Sequence, residues 1–521
     1  MTKRKVREAV LESRVTKRSK NGEQRIDQLS RLSDELILRV FSYLTTTELN
    51  TCQRLSRKYC DIAEDSQLWK AAYYAHFVLP RALRVPGYKY SLNETNANSW
   101  KSQNWLGDEI LREPGKIKNW KQQFILRHNW SMGQCKVSEL NIDKERPLPP
   151  LLVRFHDGIV YTADQESGLR AWSSRKEQRF LASKAFIGLE PPTAFAVDTN
   201  SPKDDHRITV GHRDGAFIIY SFSKETRTFQ KIYTHPASSN GMIAAIAHCS
   251  PFLVTMTASQ LVSVYKLSDE SGGLVKSPLL LHSLRSQTIW PPLSIALRPL
   301  SNSYIVSITY VIPTILTWAV GVQEIHLDAQ GEIRQSRVAS SAYTGHGWGS
   351  RLPDTSISTS RLRWPSSMPF TAAAPAFSKP TSISYSHPYL LLSHPDNTLT
   401  LFMVNSNADT LSIGKGTRLW GHTSSVSGAQ VESKGKAVSI SAKGEELRIW
   451  QLEGTSGKRY LLPSNASVEV KPARRKASQS TKKEKDDDGI MRGWVAFDEE
   501  NVVALKERTF GRQDLVIYDF T

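Results

Sequence analysis

The chain has 521 residues, 39% of them hydrophobic, including 17 Tyr, 17 Phe and 13 Trp. That is enough length for two or more domains and enough apolar material for a large core. Its four cysteines, Cys52, Cys60, Cys135 and Cys249, show no C-x-x-C spacing, which indicates neither a zinc site nor a disulfide framework and fits a reducing cytoplasmic or nuclear compartment.

The formal net charge of +18 raises nucleic acid as a partner, and the first 28 residues test it. Residues 1–25 carry nine Lys/Arg against three Asp/Glu. Lacking an apolar core, this tail is expected to be disordered, and lacking an h-region it is no signal peptide. Nucleic-acid binding calls for basic residues interleaved with aromatics on a folded face. The tail has no aromatic residue, so nucleic acid is not expected. Lys3-Arg4-Lys5 and Lys17-Arg18 fit a nuclear import signal and equally a solubilising tail.

Residues 29–70 read as helices. Leu36, Val40, Phe41 and Leu44 form one apolar stripe. Ser33 is placed as its N-cap, and Asp34 and Glu35 complement the positive helix end. Thr45, Thr46 and Thr47 end that helix and cap a second one carrying Leu49, Cys52 and Leu55. A third pattern holds Tyr59 and Ile62, then Leu68 and Trp69. Three such short helices cannot bury all these side chains against one another, so an apolar face is expected to remain for docking. Leu32, Asp34, Glu35, Leu36, Val40, Phe41 and Leu44, followed by Leu55, Ser56 and Tyr59 and closed by Trp69, resemble an F-box. Ser33 replaces the usual proline of that pattern. The resemblance implies a Skp-type adaptor as partner and, through it, a cullin-RING ubiquitin ligase. It also implies an adaptor face made of Leu32, Leu36, Val40, Phe41, Leu44, Leu49, Leu55, Tyr59 and Trp69. The competing reading is a helical subdomain packed on the rest of the chain.

Residues 71–135 form a helical connector, interrupted by the polar run SLNETNANS. Trp120, Phe124, Ile125 and His128 recur at helical spacing. The order Trp120-Lys121, Arg127-His128-Asn129-Trp130, Gly133 resembles the linker of F-box/WD-repeat proteins, with the aromatics expected as core residues that fix the F-box relative to the C-terminal part of the chain.

From 136 to 521 short β-rich runs alternate with turn residues. Six segments share one layout, ending at Trp172, Tyr220, Tyr265, Phe402, Trp450 and Tyr518, and a less regular set lies between Pro292 and Leu327. Seven such units resemble degenerate WD repeats, so the expected fold is multidomain: a small all-α F-box with a helical linker, then an all-β, seven-bladed propeller. Gly421-His422 and Ile449-Trp450 mark the clearest unit. Gly444 stands where its turn would carry Asp, and the hydrogen-bonding tetrad of strong repeats reads as mostly missing. Val306–Val322, broken by Pro313, reads as two buried strands rather than a membrane span. Residues 340–380 and 464–489 read as insertions outside the propeller. The chain stops one strand short of a complete last blade, so the segment Lys136–Leu140 is expected to supply the outer strand and close the ring.

No P-loop, G-x-G-x-x-G, H-E-x-x-H or G-x-S-x-G occurs, so neither catalysis, a metal nor a cofactor is expected. In the family resembled, a separate conjugating enzyme transfers ubiquitin, and this chain would hold a protein substrate. The wide face of related propellers captures short, often phosphorylated degrons, for which Arg provides bidentate bonds. Arg213 and Lys443 occupy the corresponding turns, while Gln165 and Pro395 in two other blades leave no basic ring. An adaptor-bound scaffold working outside a cullin ligase, in trafficking or chromatin assembly, is the alternative.

Overall fold

The computed structural model describes residues 29–79, 119–143, 151–175, 180–202, 204–267, 277–285, 290–314, 318–342, 379–442, 446–452, 467–472, 490–507 and 513–521. The basic tail, most of the connector and Lys443 lie outside them. The chain divides into two compact units, Met1–Ile125 and Leu126–Thr521.

In the first unit a 3-10 turn (Leu29–Arg31) leads into α1 (Asp34–Phe41), α2 (Thr46–Cys52), α3 (Arg57–Ala63) and α4 (Ser66–Tyr73), the last running on into a π turn (Tyr74–Val78). A further helix, α5 (Trp120–Met132), begins in this unit and ends in the next. Local chemistry sets the breaks. Thr45 and Glu48 form a reciprocal capping box at the start of α2, Ser56 accepts the Tyr59 N–H, and Asp65 accepts the Gln67 N–H. Ser33 has the extended backbone of an N-cap, but its hydroxyl accepts no helix N–H. Asp34 and Glu35 remain as the favourable charges of that first turn.

The core of this unit gathers Ile37, Phe41, Leu49, Tyr59, Ala63, Leu68, Trp69 and Phe124. Trp69 donates its indole N–H to the Ala63 carbonyl at 2.8 Å and meets the Phe124 ring edge-on at 5.5 Å. Trp120 packs against Tyr73 at 5.6 Å. The aromatics of α5 thus help to cover what three short helices leave open.

The second unit is a seven-bladed propeller. Its first strand, β1 (Gln134–Asp143), precedes blade one, which holds β2 (Leu152–His156), β3 (Ile159–Asp164), β4 (Gly168–Ser173) and β5 (Phe180–Lys184). Blade two holds β6 (Pro192–Val197), β7 (Asp205–His212), β8 (Phe217–Ser223) and β9 (Thr228–His235). Blade three holds β10 (Ile243–Cys249), β11 (Phe252–Thr257), β12 (Leu261–Lys266) and β13 (Leu279–Arg285). Blade four is built of long strands, β14 (Trp290–Pro299), β15 (Ser303–Pro313), β16 (Trp318–Asp328) and β17 (Ile333–Ala342). The apolar run broken by Pro313 is therefore β15 and β16, paired antiparallel.

Blade five holds β18 (Ser382–Ser386), β19 (Tyr389–Ser393) and β20 (Thr398–Ser406), whose outer edge pairs with both β21 (Leu411–Ile413) and β22 (Thr417–Trp420). Blade six holds β23 (Val426–Val431), β24 (Lys436–Ser441), β25 (Leu447–Gln451) and β26 (Ser467–Glu469). A two-residue strand, β27 (Lys471–Pro472), follows. Blade seven is β28 (Ile490–Phe497), β29 (Asn501–Glu507) and β30 (Gln513–Asp519), completed by β1.

Ring closure follows the expectation from the sequence. β1 pairs antiparallel with β30, from Lys136 opposite Asp519 to Asp143 opposite Gln513. Two details differ. The stretch 464–489 is not wholly outside the propeller: Ser467–Glu469 is the outer strand of blade six, and Lys471–Pro472 lies parallel to the start of β1. The outer strand is short and its surroundings are charged, so composition concealed it. At Gly133 (φ +67) a Cβ would lie 2.3 Å from the Glu469 carbonyl, so glycine is needed there.

The tetrad of blade six is also more complete than its sequence suggests. Trp450 donates its indole N–H to Ser439 Oγ at 2.7 Å, and that hydroxyl lies 2.5 Å from His422 Nε2. His422 Nδ1 is 3.4 Å from Glu446, whose carboxylate also accepts the Thr423 N–H at 2.9 Å and a bond from Arg448 at 2.6 Å. The carboxylate comes from Glu446, two residues beyond Gly444. Buried histidines also tie blades together: His206 Nδ1 lies 2.7 Å from the Tyr161 hydroxyl, and His248 Nδ1 2.9 Å from Thr209 Oγ1. Burial holds His206 and His422 down to a pKa of about 4, which keeps both neutral at pH 7.

The end of α5 is seated in blade seven. Trp130 stacks on Phe520 with ring centres 4.1 Å apart and donates its indole N–H to the Glu499 carbonyl at 2.8 Å. The Lys436 ammonium sits 3.8 Å from the centre of the Trp130 ring. Desolvation lowers its pKa to about 8.

Candidate functional site

The geometry of the helical unit divides the residues that sequence pattern groups together. On α1 the i, i+4 pair Ile37 and Phe41 points into the core, and both are buried. Leu36 and Val40 form a second i, i+4 pair on the adjoining flank, 54% and 42% exposed. Tyr43, just after α1, is 74% exposed, with the Arg39 guanidinium 5.4 Å from its ring centre. Leu55, in the turn between α2 and α3, is 65% exposed. Lys58 bridges Asp34 at 3.0 Å and donates to the Leu32 carbonyl at 3.3 Å, tying α3 to the entry of α1.

Of the nine residues expected on the adaptor face, Leu36, Val40 and Leu55 are exposed, while Leu32 and Leu44 are half-buried. Phe41, Leu49, Tyr59 and Trp69 are interior, in the core with Ile37. Phe41 meets the Tyr59 ring edge-on at 5.9 Å. Sequence reasoning missed Ile37 and Tyr43. The spacing of Ile37 and Phe41 carries that signal, but a stripe drawn through Leu36 and Val40 masks it.

The propeller places its other candidate, Arg213, exposed in the turn between β7 and β8. The turn is pinned: the Arg213 N–H donates to the Pro191 carbonyl at 3.0 Å, and His212 Nδ1 donates to the Glu190 carbonyl at 2.6 Å. Gln165, at the matching position of blade one, donates to the Leu189 carbonyl at 3.0 Å. Its role is to hold a loop. Ile187 and Met242 are also exposed in this part of the propeller.

Among the described residues no group of three or more His, Cys, Asp or Glu is arranged to hold a metal ion. All four cysteines are free, and burial pushes the Cys135 thiol up to about 12, away from thiolate chemistry. No described helix is long and apolar enough to cross a membrane.

Residues 29–75 match the family described as F-box-like, and residues 135–521 match the F-box protein pof12 beta-propeller. F-box protein pof12 of Schizosaccharomyces pombe is 22% identical over 444 residues, covering 83% of this chain and 86% of that protein. F-box/WD repeat-containing protein 8 is 26% identical over 246 residues in Mus musculus and 27% over 168 residues in Homo sapiens. Those alignments cover 45% and 30% of this chain, and only 35% and 24% of the two relatives.

Proposed function

The chain belongs to the F-box protein pof12 beta-propeller family, and from that premise we propose that it is the substrate receptor of an SCF-type ubiquitin ligase. In this reading the helical unit binds a Skp-type adaptor, the adaptor brings a cullin-RING ligase, and the propeller holds a protein client. The chain positions its client and makes no bond itself. One observation carries the proposal. The unit seals Ile37, Phe41, Tyr59 and Trp69 inside, yet leaves Leu36, Val40, Tyr43 and Leu55 in solvent. Covering four such side chains is worth roughly 1.5–3 kcal/mol each, an ample driving force for a stable contact. The interior residues act indirectly, by holding α1 and the α2–α3 turn in place. Arg213 is the client contact within reach of the described residues.

The test is co-purification of the full chain with adaptor and cullin, using Leu36→Asp and Val40→Asp as surface variants. Recovery of both partners by the wild type and of neither by the variants supports the proposal. Adaptor without cullin would redirect it to a scaffold role. Equal recovery by wild type and variants would sink it.

A further inference from the structure

The seven inner strands, β2, β6, β10, β14, β18, β23 and β28, each approach the inner strands of the neighbouring blades and so wall the propeller's central channel. Their sequences are LVRFH, PTAFAV, IAAIAHC, WPPLSIALRP, SISYS, VSGAQV and IMRGWVAF. They contain three arginines, Arg154, Arg298 and Arg492, and not one Asp or Glu. A wall of one sign enclosed by low-dielectric protein concentrates counter-ions of the other.

Arg154 has no counter-charge among the described residues. It occupies the middle of β2, opposite Tyr161 of β3. Val153 and Phe155, its neighbours, turn the other way into the core shared with blade seven. Leu152 and His156, on its own side, pack toward blade two, His156 with its ring 4.9 Å from His206. Arg154 is exposed, and at the middle of an inner strand the solvent beside it is that of the channel. Its guanidinium donates to the Val153 carbonyl at 3.1 Å and forms no ion pair among the described residues. Arg298 differs: Glu324 of β16 lies 4.0 Å from it. Enclosure alone, through desolvation, lowers the Arg154 pKa below the usual guanidinium range.

A cation on the channel wall without a described counter-charge draws an anion, and a guanidinium presents its donors in a fork that fits an oxyanion. We propose that the central channel is a binding site for a free, small oxyanion of the phosphate class, held by Arg154, which neutralises the wall and stabilises the closed ring. A free ion fits this position better than a tethered one, because Arg154 lies at mid-strand, away from the loops at either mouth. The site is separate from the adaptor face and from Arg213.

The experiment uses the purified full chain, with thermal unfolding followed in increasing phosphate or pyrophosphate against sodium chloride of matched ionic strength. Wild-type protein should gain stability saturably. Arg154→Gln should weaken the apparent dissociation constant at least tenfold, and Arg154→Lys should lie between. Lys231→Gln, on the exposed outer strand β9, removes one positive charge elsewhere and should behave as wild type. If Arg154→Gln does not fold, the saturable wild-type response and the Arg154→Lys shift still decide the matter. The proposal fails if neither anion stabilises beyond chloride, or if Lys231→Gln loses the response as Arg154→Gln does. It also fails if an end-blocked octaglutamate peptide stabilises the protein and the free anions do not.

Discussion

Leu36 and Ile37 are adjacent on α1 and have opposite fates: Ile37 is completely buried, while Leu36 keeps more than half of its surface in water. A helix turns by about a quarter of a revolution per residue, so the boundary between core and free face runs between these two side chains. The separation lets binding and folding be perturbed independently.

Leu36→Asp is expected to abolish adaptor binding while leaving the thermal midpoint nearly unchanged, since surface substitutions usually stay within about 0.5 kcal/mol. Phe41→Ala is expected to destabilise the helical unit by about 3–5 kcal/mol. Circular dichroism beside a pull-down checks the pair, and a folded, binding Leu36→Asp chain would contradict it.

The capping box offers a finer measurement. Thr45 receives the Glu48 N–H, and the Glu48 carboxylate receives the Thr45 N–H at 2.7 Å. Thr45→Ala should cost about 1 kcal/mol, visible as faster amide exchange in α2 with the propeller unaffected.

At the other end of the chain, Phe520 is buried and stacked on Trp130. Phe520→Ala should lower propeller stability by about 3–5 kcal/mol in urea titration. An unchanged midpoint would mean that the seat of α5 contributes nothing to the closed ring.

Histidines set the acid limit. Burial is the main cause holding His206, His387, His394 and His422 at pKa values of about 4, against 6.5 when free. The unfolded chain therefore binds more protons between these values, and stability rises with pH there. The contribution is whole above pH 6.5 and drains away as pH falls toward 4. Melting midpoints across that window should decline progressively; a flat profile would refute the assignment of these imidazoles as neutral.

Much of this architecture is legible in the sequence, because the blades depend on period-two alternation and on turn residues that any strand must show. The closing strand can be read because an unpaired edge demands a partner. Three features escape for physical reasons. Half of the α1 stripe read from the sequence, Leu36 and Val40, lies one residue away from the core pair Ile37 and Phe41, since with apolar residues at 36, 37, 40 and 41 two helical faces compete and only tertiary packing chooses. Glu446 escapes because a longer side chain reaches the histidine from a position where no carboxylate is sought. The strand Ser467–Glu469 escapes because its pairing with β25 owes more to the neighbouring edge than to its own three residues. On the propeller, Arg213 is proposed from its position alone, and Arg154 is not visible until the strands enclose it.

The pairing of β1 with β30 also fixes an order of events during biosynthesis. Lys136 contacts Thr521 across 385 positions of sequence, so the helical unit can fold early while the torus waits for the last strand to leave the ribosome. Until then β1 is an unmatched ribbon and blade seven a docking hazard for other nascent chains. A translation pause or premature stop anywhere ahead of β30 would release a folded helical unit on an open, aggregation-prone scaffold.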